Sequence, residues 1–264
     1  MSDSVRIITE ANRTSWNQIA PQRPGDPAEF FAGGGLALDD FEQELAGDVR
    51  GRRVLQLACS SGDQVLSWAN LGANAVGVDI SDVAIDVARR KAAEAGIEAE
   101  FLQADMFELP VELREFDLIY FSAGAICWVP DLAQFAAIVA DRLRPGGSVL
   151  MVDHHPVWEV LAVRGDNEFG VVGDYFGRHT PRGETDDAKR PLGARGAESP
   201  PPFSAFIWPV SDVVMAFIGA GLRLEAFSEG GAPALYAGAG GVAANLPAYY
   251  VIKASRPQLS RVAE

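Results

Sequence analysis

The sequence predicts an α/β fold, a doubly wound and mostly parallel sheet, and three observations carry that prediction. Between residues 53 and 153, short apolar runs of strand length alternate with stretches of helical periodicity. The first run, Val54-Leu55-Gln56-Leu57-Ala58, leads into four small residues, Cys59-Ser60-Ser61-Gly62, and then into a helical pattern opened by Val65-Leu66 and Trp68-Ala69. The following runs end on acids, Asp79 and Asp105. Strand, small-residue turn and helix form the opening βα unit of such a sheet, where a ligand can lie against the backbone and the helix N-terminus favours an anionic group.

Before the first strand, Val5, Ile8, Trp16 and Ile19 stand among polar residues and predict one or two amphipathic helical turns over 4–19. Residues 20–38 hold three prolines and Gly33-Gly34-Gly35 around Phe30 and Phe31, which either plug the core or form a flap over a site. Asp39 to Leu45 predicts a short helix. The second strand, Ala75 to Val78, ends at Asp79; Ser81 can cap the next helix, and Gly96 fits its C-terminal stop. A third strand, Glu98 to Leu102, leads to Asp105, and a fourth, Phe116 to Phe121, leads to Ser122-Ala123-Gly124-Ala125. A helix over Asp131 to Leu143 and the turn Arg144-Pro145-Gly146-Gly147 precede the fifth strand, Ser148 to Val152, which ends at Asp153-His154-His155.

The alternation stops over 156–207. Residues 182–198 carry eight charges and one large apolar residue, Leu192, and read as an exposed or disordered loop. Trp158, Phe169, Tyr175, Phe176, Phe203, Phe206 and Trp208 frame it, so the segment reads as an inserted cover. Ser211 is the expected cap of a helix to Ala220, followed by a sixth strand, Leu222 to Phe227, and a seventh, Pro247 to Ala254. The predicted division is an N-terminal helical cap or flap over 1–50, a main domain over 51–255 containing the insertion 156–208, and a tail over 256–264.

The 264 residues suffice for one large α/β domain or two small ones, and 48% hydrophobic residues supply a full core. A formal net charge of −14 opposes binding to phosphate backbones, so no nucleic-acid partner is expected. The basic run Arg89-Arg90-Lys91 reads as cations near a helix end. Cys59 and Cys127 lack the spacing of a zinc or iron–sulfur site, so no metal is expected, and they suit a reducing compartment. With neither a signal-peptide pattern nor a membrane-length apolar run, the expected location is cytoplasmic, without a membrane partner.

In an open parallel sheet, ligands bind beyond the carboxyl ends of the strands. An acid after the second strand can accept both ribose hydroxyls, and an acid after the third can accept from an adenine amino group. Asp79 and Asp105 beside a small-residue turn thus describe an adenosine site. A dinucleotide fingerprint would put a small residue where Val65 stands, and Asp63 would face a pyrophosphate unfavourably; a zwitterionic amino-acid tail tolerates that acid better.

The stretches 54–62, Val76 to Ser81, Leu102 to Asp105, Phe116 to Ile119, Leu143 to Gly147 and Gly221 to Glu225 together resemble the class I S-adenosylmethionine-dependent methyltransferases, in the small-molecule group. The resemblance implies a seven-stranded, Rossmann-like sheet with its last strand antiparallel, and S-adenosylmethionine as cofactor. It implies Asp79 on the ribose and Asp105 with Met106 near the adenine. Ala58 to Gly62, with Cys59 and Ser60, would run under the methionine part, and Phe121, Ser122 and Ala123 near its amine or sulfonium; Gln64 and Ile80 are further expected cofactor contacts. Arg13 and Trp16 lie in an N-terminal helix that closes over the cofactor in similar proteins. The chain departs from the family at the turn: Gln56 replaces an acid, and Ala58 and Ser60 replace two glycines, which narrows the turn.

Methyl transfer is an in-line displacement in which the protein mostly positions the acceptor. A base is needed only where the acceptor carries a proton of high pKa, and His154 and His155 are the candidates. Adjacent strand residues face opposite ways, so at most one of the two faces the pocket. Trp128 either lines the methyl site or packs the next helix. Phe30, Phe31, Trp158, Tyr175, Phe176 and His179 are the other candidates for the acceptor pocket. The expected reaction is O-, N- or C-methylation of a small organic acceptor, with a homodimer left open. Its alternatives are a protein that binds S-adenosylmethionine without methylating, or an NAD(P)-dependent oxidoreductase.

Overall fold

The structure is a computed structural model and describes residues 1–178 and 202–258. At its centre β1 (Arg53–Leu57) lies between β2 (Asn74–Asp79) and β4 (Phe116–Phe121), parallel to both. β3 (Glu100–Gln103) extends the sheet beyond β2, and β5 (Leu143–His154) beyond β4, also in parallel. The final strand, β9 (Tyr249–Ser255), inserts antiparallel between β5 and the edge strand β8 (Arg223–Gly230). The order is β3-β2-β1-β4-β5-β9-β8, seven strands with the reversal between β1 and β4. The turn after β1 therefore sits at the switch point, where this architecture opens a crevice.

β1 is covered on both faces, which is why Val54, Leu55, Gln56 and Leu57 are all buried rather than alternating. One face packs Leu55, Leu57, Ile119 and Phe121 against Phe135 of α6 (Leu132–Arg142) and Phe217 of α8 (Val210–Gly219). The other packs Val54, Leu118 and Tyr120 against Trp68 of α4 (Asp63–Asn70) and Ile85 of α5 (Asp82–Ala95). Ser81 caps α5 by accepting from the Ala84 N–H at 3.1 Å, and Gly96 ends it in the left-handed region. Asp131 caps α6 by accepting from the Gln134 N–H at 2.9 Å. Among the described residues, no helix is long and apolar enough to cross a membrane.

Several boundaries differ from the sequence reading. The N-terminal turns are one helix, α1 (Asp3–Ile19). Its buried face carries Thr9, Asn12 and Ser15, so apolar periodicity understates it. Those polar groups are matched: Asn12 exchanges two hydrogen bonds of 2.9 Å with the Ser204 backbone, and the Ser15 hydroxyl donates to the Pro202 carbonyl at 2.6 Å. α2 (Ala28–Ala32) takes Phe31 into the core at 1% exposure and leaves Phe30 at the surface, so this pair forms no flap over a site. α8 starts at Val210 with Pro209 at its cap, not Ser211. β5 absorbs the expected turn at 144–147. Where alternation was expected to stop, α7 (Pro156–Val160) is followed by a hairpin of β6 (Leu161–Gly165) and β7 (Glu168–Val171). The charged stretch 182–198 lies outside the described residues, as does His179.

Candidate active site

The chain leaves β1 through three left-handed residues in alternation, Ala58 (φ 54°), Ser60 (φ 48°) and Gly62 (φ 82°). This explains the glycines of the family pattern: the turn needs positive φ whichever residue occupies it. Gly62 is required twice over, because an added Cβ would lie 2.7 Å from the Phe101 ring and 2.9 Å from Ala88. Ala58 and Ser60 meet the same backbone demand at a cost of about 1–2 kcal/mol each. Replacing either by glycine recovers that strain less about 0.5–1 kcal/mol of chain entropy. Ala58→Gly and Ser60→Gly should each raise the melting temperature, by about 2–4 °C per kcal/mol gained. A lower melting temperature in either variant would contradict the strain.

Asp79 closes the turn from β2. Its two carboxylate oxygens accept from the Ser60 and Ser81 N–H groups, each at 2.8 Å. Burial raises its pKa, while the N–H groups of Ser81, Ser60 and Ile80 pull it down. Asp105, beyond β3, accepts from the Phe107 N–H at 2.8 Å. The Cys59 thiol is buried, and its pKa is pushed well above the ordinary range by burial and then by Asp79, which leaves it protonated and inert.

These groups face one cavity of about 570 Å³. Ala58, Cys59, Ser60 and Gln64 line it from the turn, Asp79 and Ile80 from β2, Asp105 and Met106 from beyond β3, and Ser122 and Ala123 from beyond β4. The methyl and hydroxymethyl groups of Ala58 and Ser60 leave it open. Trp16 of α1 and Trp128 wall another side, edge to face at 5.0 Å, with Phe203 packed on both.

Other sequence candidates fall outside the cavity. Arg13 pairs with Asp82 at 2.9 Å, half-exposed. Gly62 lies beneath the turn, and Phe121 is fully buried in the core. Phe30 and Phe31 stand apart from the cavity. Trp158 belongs to a separate cluster with Tyr236 and donates to the Leu235 carbonyl at 2.7 Å. Tyr175 and Phe176 pack on each other at 5.1 Å, with Phe176 exposed. His155 caps α7, accepting from the Val157 N–H, and its other ring nitrogen bonds Glu229 at 2.8 Å. Burial lowers its pKa against the pull of Glu229. His154 sits behind the cavity wall, its ring 3.6 Å from where a Cβ on Gly124 would stand.

Sequence reasoning missed a strap over the turn. Gln22, Arg23, Pro24 and Gly25 line the cavity, and Arg23 is the single Lys or Arg among its described lining residues. Burial lowers the Arg23 pKa. The strap is tied down by Lys91, which is buried rather than a solvated helix-end cation. Its ammonium donates to the Pro24 carbonyl at 2.6 Å and forms an ion pair with Asp63, whose other oxygen accepts from the Asp26 N–H at 2.9 Å. Asp63 thus presents a compensated charge to the cavity.

The residues present suit S-adenosylmethionine. Two acids and a small-residue turn line the same cavity, a cation lies over the turn, and the volume falls within the ordinary range of about 300–1,000 Å³ for small-molecule sites. A seven-stranded sheet of this order, with its final strand antiparallel, is the Rossmann-like methyltransferase fold. Residues 54–147 match the sequence model of the family described as "Methyltransferase domain". A ubiquinone biosynthesis O-methyltransferase of Bordetella avium (strain 197N) is 29% identical over 147 residues, 54% of this chain and 58% of the relative. One from Aromatoleum aromaticum (strain DSM 19018 / LMG 30748 / EbN1) is 31% identical over 156 residues, 58% of this chain and 63% of the relative. The matches thus span less than two thirds of these curated relatives. The crystal structure of an S-adenosylmethionine-dependent methyltransferase from Mesorhizobium loti shares the fold at 22% identity and a TM-score of 0.62, covering 82% of this chain and 96% of that one. The [4+2]-cyclase SpnF shares it at 14% identity and a TM-score of 0.60, covering 96% and 97%.

Proposed function

We propose that the protein transfers a methyl group from S-adenosylmethionine to a hydroxyl oxygen of a small organic acceptor. The observation that carries this reading is the single cavity joining the switch-point turn, Asp79 and Asp105. When bound, S-adenosylmethionine supplies a methyl group on a positively charged sulfonium. Asp79 would accept from the ribose hydroxyls, Asp105 from the adenine amine, and Arg23 would hold the cofactor carboxylate. Trp16 and Trp128 offer an apolar, flat wall that suits a partly apolar acceptor. Oxygen as the receiving atom is supported by the O-methyltransferase names of the curated relatives.

Neither histidine lines the cavity; His154 is the nearer, its ring behind Gly124 of the wall, and of the two it is the proposed base. His154→Ala should lower turnover by about 10²-fold or more, the usual worth of a positioned base, with cofactor affinity nearly unchanged. His155→Ala should instead cost stability of about 1 kcal/mol through the lost helix cap. Equal turnover in both variants would remove the base role.

The reading is tested by calorimetric titration with S-adenosylmethionine and S-adenosylhomocysteine, with NAD as control, followed by detection of S-adenosylhomocysteine formed with candidate hydroxyl acceptors. Micromolar binding of both and silence with NAD support it; binding without turnover on any acceptor would favour a non-methylating role.

A further inference from the structure

Beyond the cofactor contacts, and resting on the methyl-transfer reading for its consequence, one buried acid organises the cavity wall. We propose that Asp153 is a positioning residue: its carboxylate gathers the backbone N–H groups of Gly124, Ala125 and Ile126 and thereby fixes the wall on which cofactor and acceptor rest.

Asp153 is 2% exposed, near the C-terminal end of β5. One oxygen accepts from the Gly124 N–H at 2.8 Å and the His154 N–H at 2.7 Å; the other accepts from Ala125 at 3.1 Å and Ile126 at 2.7 Å. Four donors converge on one carboxylate. With the N–H groups turned inward, the rest of this backbone is free to build the wall. The Gly124 carbonyl takes the Cys127 thiol at 3.5 Å, and the Ala125 carbonyl takes the Trp128 N–H at 3.1 Å. Gly124, Ala125 and Trp128 all line the cavity. Asp153 therefore reaches the site through them.

Its charge state matters, because four donors match an ionised carboxylate and a protonated acid would set an O–H against them. Burial raises the Asp153 pKa to about 7, although all four N–H groups pull it down. The sign follows. Because the folded pKa lies above the unfolded value of about 3.9, the neutral form contributes stability that is lost as pH rises toward 7. Around pH 7 the charged form appears and the wall becomes fully bonded, so wall order rises where the last of that stability is lost. The titratable neighbours are His154, with Nδ1 3.8 Å from the carboxylate, Tyr250 opposite it on β9, Tyr120 on β4 and Cys127 in the loop. Burial holds both tyrosines well above 10, so they stay neutral through this interval. His154 is the group to separate from Asp153.

Amide hydrogen exchange in the free chain tests the proposal. Corrected for intrinsic rates, protection of the Gly124–Ile126 amides should rise about tenfold between about pH 6 and pH 8. D153N should lack the step and stay weakly protected, whereas H154Q should keep it. If D153N fails to fold, the step in the wild type and in H154Q decides. Flat protection in the wild type, or a step that vanishes in H154Q, would overturn the assignment. S-adenosylhomocysteine affinity should tighten by about the same tenfold across the interval, as expected where only the ordered wall is competent to bind. The exchange step without any binding of S-adenosylhomocysteine would uphold the role of Asp153 and overturn the methyl-transfer reading instead.

Discussion

Asp79→Ala is expected to lower the affinity for S-adenosylmethionine and S-adenosylhomocysteine by at least about 100-fold. Two hydroxyls donating to a carboxylate are each worth about 1.5–3 kcal/mol, and 1.4 kcal/mol is tenfold in binding. The same oxygens hold the Ser60 and Ser81 N–H groups, so the loss also slackens the turn. Asp79→Asn keeps one acceptor but sets its amide N–H against the other backbone N–H, so it should lose both binding and stability. Unchanged affinity in calorimetry of Asp79→Ala would remove the adenosine from this end of β2.

Lys91→Ala is expected to destabilise the fold by about 3–5 kcal/mol, because it strips a buried charge of its partner. Lys91 is 6% exposed and Asp63 15%, so solvent compensates neither. At about 2–4 °C per kcal/mol, the melting temperature should fall by roughly 6–20 °C. Removing both charges, in Lys91→Met with Asp63→Asn, should recover much of the loss, since neutral groups of similar size carry no desolvation penalty. Denaturant titration of the two single variants and the double variant gives the coupling energy. Additive losses would show that the two groups do not act as a pair. Loosening should centre on residues 22–26, where Pro24 and Asp26 lose their partners.

The parts legible in the sequence are those written locally. The apolar run of β1 and the small residues after it are contiguous, each acid lies at or within two positions of the end of its own strand, and their order places them at one edge of the sheet. The two-residue period allowed at most one histidine of the 154–155 pair to face the site, and neither lines the cavity. What stayed illegible depends on distance along the chain or on polar burial. Lys91 is 28 positions from Asp63 and 67 from Pro24, and nothing near it marks its ammonium as buried. Arg23 enters the cavity only because that pair pins the strap. α1 buries Thr9, Asn12 and Ser15 against backbone at 202–204, a face invisible to apolar counting. The β6–β7 hairpin did leave a signal: Asp166-Asn167 lies between two apolar stretches, and Asn167 takes a positive φ of 58°.

The placement of β9 bears on how the protein is made. β8 has β9 as its single neighbour in the sheet, and β5 meets β8 only through it. While the ribosome is still synthesising residues 249–255, the nascent sheet ends at β5 and exposes an unpaired edge there. The β1–β5 portion can dock its helices early, since domains assemble from the N-terminus as they emerge. The last step adds β9 to the open rim of β5 and brings β8 into the sheet with it. A ribosome stalled before residue 249 should therefore hold a sticky, chaperone-bound chain, and release past 255 should free it.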